Sequence, residues 1–165
     1  PLVLALFIKK EYTVEKDIII NKPKSEVFEY IKQLKNQDNF SKWATIDPSM
    51  KKTFRGTDGT VGFVSAWESE HDDVGVGEQE IMKITEGVRI DFELRFLKPF
   101  ESTSAAYMIT EKLNESQTKV KWGFSGYMNY PMNIMLLFMN FEKMVGADFQ
   151  EGLDKLKTIL EADDQ

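Results

Sequence analysis

Glu78 and Glu80, two residues apart in a stretch rich in β-branched and alternating residues, are the carboxylates best placed to do chemistry in this chain. On a strand they share one face with Val76, Met82 and Ile84, so an unbroken alternation sends at least one carboxylate to the interior. A buried carboxylate must be paired or protonated, and a protonated one at neutral pH can act as a general acid. The alternative is a shift of register near Gly75 and Gly77, which puts both glutamates in water and makes Arg95 and Tyr107 available as polar partners. Glu78, Glu80 and Tyr107 are thus the residues through which proton-transfer chemistry would run, and none is assigned as catalytic.

Other chemistries are closed by composition. The chain has no cysteine, which removes disulfides, thiolate nucleophiles and zinc-thiolate sites together. Its one histidine, His71, lies between Glu70 and Asp72-Asp73 in a polar stretch, so a serine-histidine nucleophile or a multi-histidine metal site is not expected. A net charge of −6 with no local Lys/Arg cluster is the wrong sign for tracking a nucleic-acid backbone. No metal and no cofactor is expected.

Binding chemistry is better supplied. Trp67 and Trp122 fall on strand faces shared with apolar residues, and Trp43 follows the first helix near an expected pocket mouth. A buried indole offers a large apolar area and an N–H that wants a partner. Met132, Met135 and Met139 form a second face of the last helical segment, displaced roughly 110° from its core stripe at about 100° per residue. Methionine adapts to ligands of different shape, but the same face could fill the core, meet a second subunit in a homodimer or touch a membrane. The residues expected to line a ligand cavity are Trp43, Trp67, Phe92, Leu94, Trp122, Phe124, Met135, Phe138 and Met139.

The elements that must position these residues are legible. A β-branched run from about Tyr12 to Ile20 breaks at Asn21-Lys22-Pro23 and restarts with helical spacing at Val27, Tyr30, Ile31 and Leu34. A short helical turn is expected at Phe40 to Trp43, ended by Asp47-Pro48. Strands are expected at Lys51 to Phe54, Val61 to Ser69, and Gly75 through Ile84. In the next strand Arg89, Asp91, Glu93 and Arg95 alternate with Ile90, Phe92, Leu94 and Phe96. Ser102 to Leu113 and Thr118 to Tyr127 form a last hairpin, with Val120, Trp122 and Phe124 on the same face as Ile90, Phe92 and Leu94. Such closely spaced strands predict an antiparallel meander. A final helix from Pro131 to about Ala162 carries Phe138, Phe141, Val145, Phe149, Gly152, Leu156 and Ile159 in one arc, with Gly152 marking close approach to the sheet.

This order resembles the polyketide cyclase/dehydrase-like branch of the START-related superfamily. The resemblance runs from about Glu11 to Glu161 and is carried by Val14 to Pro23 with Val27-Phe28, Thr60 to Phe63 with Trp67, Val74 to Ile81, Thr118 to Trp122 and Gly152 to Lys157. It implies an α+β helix-grip fold, a curved antiparallel sheet around a long C-terminal helix with an apolar cavity between them. It implies no particular activity, because members bind lipids, hormones or polyketides, catalyse cyclisation or hydrolysis, or act as co-chaperones, and no catalytic motif of the family matches a residue here. Residues 11–162 are expected to be one START-like domain, a binding or carrier module for a small apolar ligand. The rivals are a cyclase, dehydratase or isomerase using an interior carboxylate, and a protein-interaction module presenting the methionine face.

Residues 1–10 read differently. Pro1 to Ile8 is as apolar as any strand and is followed by Lys9-Lys10, like the tail of a longer apolar segment before a charged stop. It is expected to lie outside the core sheet and to tether the domain to a membrane or direct export, rather than to leave it free in the cytoplasm. An edge strand or packing arm is the competing expectation, although the stretch has no polar residue for an outward face.

Overall fold

The computed structural model describes residues 6–130, 132–138 and 140–162. Strand β1 (Glu11–Ile20) is followed by α1 (Lys24–Lys32), a 3-10 turn (Leu34–Asn36), and the short helices α2 (Gln37–Phe40) and α3 (Trp43–Ile46). Then come β2 (Lys51–Arg55), β3 (Val64–Glu68), β4 (Val76–Thr85), β5 (Arg89–Lys98), β6 (Ser102–Asn114) and β7 (Gln117–Tyr127). A 3-10 turn (Met132–Ile134), α4 (Met135–Phe138) and α5 (Phe141–Glu161) complete the chain.

The strands make one 7-stranded sheet in the order β1-β7-β6-β5-β4-β3-β2, every pair antiparallel. Short turns explain the run from β2 to β7, since two-strand hairpins need little chain whereas parallel neighbours need a long crossover. Only β1 pairs out of sequence order, against β7, and the helices α1 to α3 bridge from it to the far edge of the sheet. The expected fold class holds: this is an α+β helix-grip architecture.

The apolar faces point where their periodicity directs them. Ile90, Phe92, Met108, Val120 and Trp122 are buried together on the concave face with Val14 and Ile20. On α1 the buried positions are Val27, Phe28 and Ile31, while Tyr30 is only partly buried. On α5 Phe149, Leu153, Leu156 and Leu160 are buried at i, i+3 or i+4 spacing, each contributing about 1.5–3 kcal/mol by leaving water. Gly152 sits in that stripe, where a Cβ would lie 2.8 Å from the Trp122 ring and 3.2 Å from the Phe40 carbonyl oxygen. The helix therefore comes as near the sheet as the glycine predicts.

The last helix is not continuous. A segment expected as one helix from Pro131 to Ala162 is broken before Phe141, because Asn140 leaves helical geometry (φ −83, ψ 77) and its side chain accepts from the Lys143 amide at 2.9 Å. An asparagine that caps a helix starts it afresh. The phase of α4 is thereby uncoupled from that of α5, and Phe138 is 81% exposed instead of joining the core stripe. The side chain of Phe141, placed in the same stripe, lies outside the described residues, as do Pro131, the side chain of Met132, and Met139.

Candidate functional site

Between the concave face and α5 lies a cavity of about 540 Å³. Its aromatic end is built around Phe149 of α5, which stacks on Trp122 of β7 (centroids 4.4 Å, planes 6° apart) and meets Trp43 edge-on at 5.7 Å. Phe124 and Tyr12, 6.1 Å apart, extend this wall toward β1. Burial pushes the Tyr12 phenol above its ordinary pKa, so it stays neutral across the physiological range. At the other end Trp67 and Phe96 form an edge-on pair at 6.1 Å. Trp67 lies across Gly77, where a Cβ would come within 2.6 Å of its ring, and its Nε1 donates to the Val74 carbonyl at 3.3 Å. Leu94, Ala106 and Val145 fill the wall between.

Of the residues expected to line a cavity, Trp43, Trp67, Leu94, Trp122 and Phe124 do so. Phe92 faces the same way but is 2% exposed within the core beneath it. Met135 and Phe138 do not reach the cavity, because the break at Asn140 turns α4 away from it. Met139 lies outside the described residues. Phe138 instead borders a separate groove with Phe7, Ile8, Leu136 and Leu137.

The carboxylates expected as proton donors face outward. The β4–β5 register shifts twice, opposite Leu97 and at Met82; the extra residue Met82 reverses the alternation of β4, so that Gly77, Gln79 and Ile81 share the concave face with Ile84, and Glu78 and Glu80 take the convex one. Outside, Arg95 donates to Glu78, Glu80 and Glu93, each at 2.7 Å, and Arg55 donates to Glu78 at 2.7 Å. The Arg55 guanidinium, with Arg95, holds the Glu78 carboxyl below its usual range. Tyr107 is on the same outer face, donating to Glu15 under the Arg89 guanidinium, which sits 4.2 Å from its ring centre. Burial first, and then the Glu15 carboxylate, push the Tyr107 phenol up to about 12. An ionised Glu78 and a neutral Tyr107, both directed away from the cavity, are not placed to serve it.

The carboxylates that do line the cavity are Asp38, bridged to Lys52 at 3.0 Å, and the exposed Asp72, Asp73 and Glu101. Among the described residues no three metal-ligating side chains gather.

Residues 11–161 match the family model for polyketide cyclase / dehydrase and lipid transport proteins. The chain belongs to this family. No curated protein is similar enough to the sequence to add to that. Solved structures share its fold at low identity. The Zhui aromatase/cyclase from Streptomyces sp. R1128 is 10% identical with a TM-score of 0.67, covering 94% of this chain and 96% of that one. Ara h 8.0201 is 12% identical with a TM-score of 0.61, covering 92% and 99%. The Aha1 dimer from Colwellia psychrerythraea is 14% identical with a TM-score of 0.61, covering 91% and 96%.

In this polyketide cyclase / dehydrase and lipid transport family member, several cavity residues escape a reading of the sequence. Phe149 was legible only as core, because a helix stripe does not reveal which of its side chains borders empty space. Tyr12 sits on a strand whose alternation is ordinary, and Gln37 on a single helical turn between polar neighbours. Gln79 was hidden by the register shift at Met82, which puts it on the same face as Ile84 although the two are an odd number of residues apart. Ser65 did give a signal, since it shares the face of Trp67.

Proposed function

We propose that this protein binds and carries a small, mainly apolar ligand in the cavity between its sheet and α5. The observation that carries this is the 540 Å³ space walled by Trp43, Trp67, Trp122, Phe124 and Phe149, a size and lining typical of small-molecule sites. A cyclase or dehydratase mechanism through Glu78 or Glu80 loses its support, because both carboxylates are ion-paired on the opposite face. The aromatase/cyclase among the structural neighbours keeps a polyketide-like ligand in view alongside a lipid-like one. Tryptophans on the wall make the test direct. Titrating the protein with a neutral lipophile such as Nile red should quench their emission saturably, and an unchanged emission together with no calorimetric heat would sink the proposal.

One further observation favours work at a lipid surface. Phe7 (85% exposed) and Phe138 (81% exposed) stand out of the fold beside Leu6 and Leu137, flanked by the exposed Lys9, Lys10 and Lys143. The groove between these segments shares Tyr12 with the cavity, and Asn133 Nδ2 holds the N-terminal arm by donating to the Ile8 carbonyl at 3.2 Å. Leu6 to Lys10 form no strand, and no helix of the described residues is long and apolar enough to cross a membrane. Exposed apolar clusters rimmed by polar groups mark interaction sites, and lysines beside an apolar edge suit an anionic bilayer surface. Co-sedimentation with phosphatidylcholine–phosphatidylserine vesicles should be strong for this chain and weak for the Phe7→Ser, Phe138→Ser variant. Equal sedimentation of the two would remove this part of the proposal.

A further inference from the structure

At one level of the cavity wall the apolar lining gives way to neutral hydrogen-bonding groups. Ser65, Gln79, Leu94 and Ser104 are direct cross-strand partners on β3, β4, β5 and β6, so their side chains stand in one row on the concave face. With strands about 4.8 Å apart, the row spans about 14 Å, and Leu94 is its one apolar member. Ser65 is 5% exposed and Ser104 7%. No hydrogen bond joins the side chains of Ser65, Gln79 or Ser104 to another described residue. Gln37 reaches the same cavity from α2, is 7% exposed, and has a buried amide nitrogen without a partner.

The Gln37 amide is costly to keep without a purpose, and the Ser65, Gln79 and Ser104 polar atoms are left open to the cavity instead of being paired. A buried polar group that lacks a partner loses the hydrogen bonds water gave it, and an apolar side chain of the same shape avoids that loss. Polar residues held for packing alone are normally tied to the backbone or to each other. These side chains are not, and all of them border the same space.

We infer that Gln37, Ser65, Gln79 and Ser104 form a neutral hydrogen-bonding subsite for an uncharged ligand that carries carbonyl or hydroxyl oxygens on an apolar body. This rests on the cavity being a ligand site. Amide N–H and hydroxyl groups donate to ligand oxygens, and the glutamine carbonyls accept from ligand hydroxyls. The lining disfavours a carboxylate, since Lys52 is already bridged to Asp38, Lys98 lies exposed four residues along β5 from Leu94, and Asp72, Asp73 and Glu101 add negative charge. An oxygenated ligand satisfies what the fold leaves open, at the level where it leaves it open.

Three probes of similar size test this by calorimetry: naphthalene, 1,5-dihydroxynaphthalene and 1-naphthoate. The dihydroxy compound should bind about tenfold tighter than naphthalene, as expected for one or two added neutral hydrogen bonds, and naphthoate should bind most weakly. In Gln79→Leu/Ser104→Ala the preference should shrink to less than twofold while naphthalene binding is kept. Gln37→Met, which removes the unpartnered amide, should reduce the preference while raising the melting temperature or leaving it unchanged. It also carries the test if the double variant fails to fold. Equal binding of naphthalene and its dihydroxy form, a preference that survives these substitutions, or tightest binding of naphthoate would overturn the subsite and leave the cavity proposal standing. Failure of all three probes to bind would remove both.

Discussion

On the convex face of β4, Glu78 and Glu80 are each held by Arg95 at 2.7 Å, whereas between them on the concave face Gln79 has no side-chain partner at all. Adjacent residues of one strand thus meet opposite treatments. Outside, charges are satisfied by other charges in reach of solvent, an arrangement that water can replace at small cost. Inside, the neutral polar side chains of Ser65, Gln79 and Ser104 hydrogen-bond neither to one another nor to any other described residue, an arrangement that a molecule entering the cavity can complete. The comparison shows where to look for function in this fold: not at the most charged cluster, whose groups are already paired, but at the uncharged groups that remain open.

The strongest way to break this contrast is to remove the concave wall itself. Trp122→Ala deletes the ring that stacks on Phe149 and closes against Gly152, and should cost about 3–5 kcal/mol in denaturant unfolding. Ligand binding should be lost with it. A cost below about 1 kcal/mol would mean that the wall is not integral to the core. Gly152→Ala probes the same contact more gently. The added methyl must displace Trp122 or α5, costing about 1–3 kcal/mol, against a gain of about 1 kcal/mol in helix propensity. Net destabilisation with a shifted tryptophan emission is expected, and a net gain in stability would contradict the close approach.

On the convex side the effects should be smaller and should leave binding alone. Arg95→Met leaves Glu78, Glu80 and Glu93 without their shared cation and should cost about 1 kcal/mol or less at neutral pH, because solvent screens the group. The folded-state pKa of Glu78 is depressed, chiefly by Arg55 with help from Arg95, so its contribution is present above the unfolded value near 4.3 and disappears as pH falls through the folded one. Wild type and Arg95→Met should accordingly converge in urea denaturation as pH falls from the unfolded glutamate value through the lowered folded one. A gap that persists in acid would show that packing, not charge, sets the effect.

Tyr107→Phe is the mildest case, at about 0.5 kcal/mol for a partly solvated hydrogen bond to Glu15. The folded pKa of Tyr107, about 12, lies above the unfolded value near 10. Its contribution is therefore full below pH 10 and lost as pH rises toward the folded value. A spectroscopic titration in which no tyrosine ionises late, or a Tyr107→Phe variant with altered probe binding, would undo the separation of the two faces.

Much of the fold was open to reading because local rules and tertiary packing agree. Ile90, Phe92 and Leu94 alternate with Arg89, Asp91 and Glu93, and the sheet uses that alternation as written. Gly152 announced close packing, and the Asn114 to Gln117 turn announced the last hairpin. The final helix was misread at its start because a continuous apolar pattern masked Asn140, whose capping bond to Lys143 outweighs the pattern on either side. The same break carries Met135 and Phe138, expected at the cavity, away from it.

By itself the sequence determined the antiparallel meander, the apolar faces of β5 and β7, the α+β class and the aromatic character of the interior, since these follow from side-chain periodicity and from the turn residues between runs, whereas the pairing of β1 with β7 came from the tertiary structure. Only the tertiary structure decided which polar residues face inward. The extra residue at Met82 depends on how β4 pairs with β5, and no periodicity within β4 can reveal it. It leaves Glu78 and Glu80 out and Gln79 in, and so replaces an expected acid site with an uncharged one.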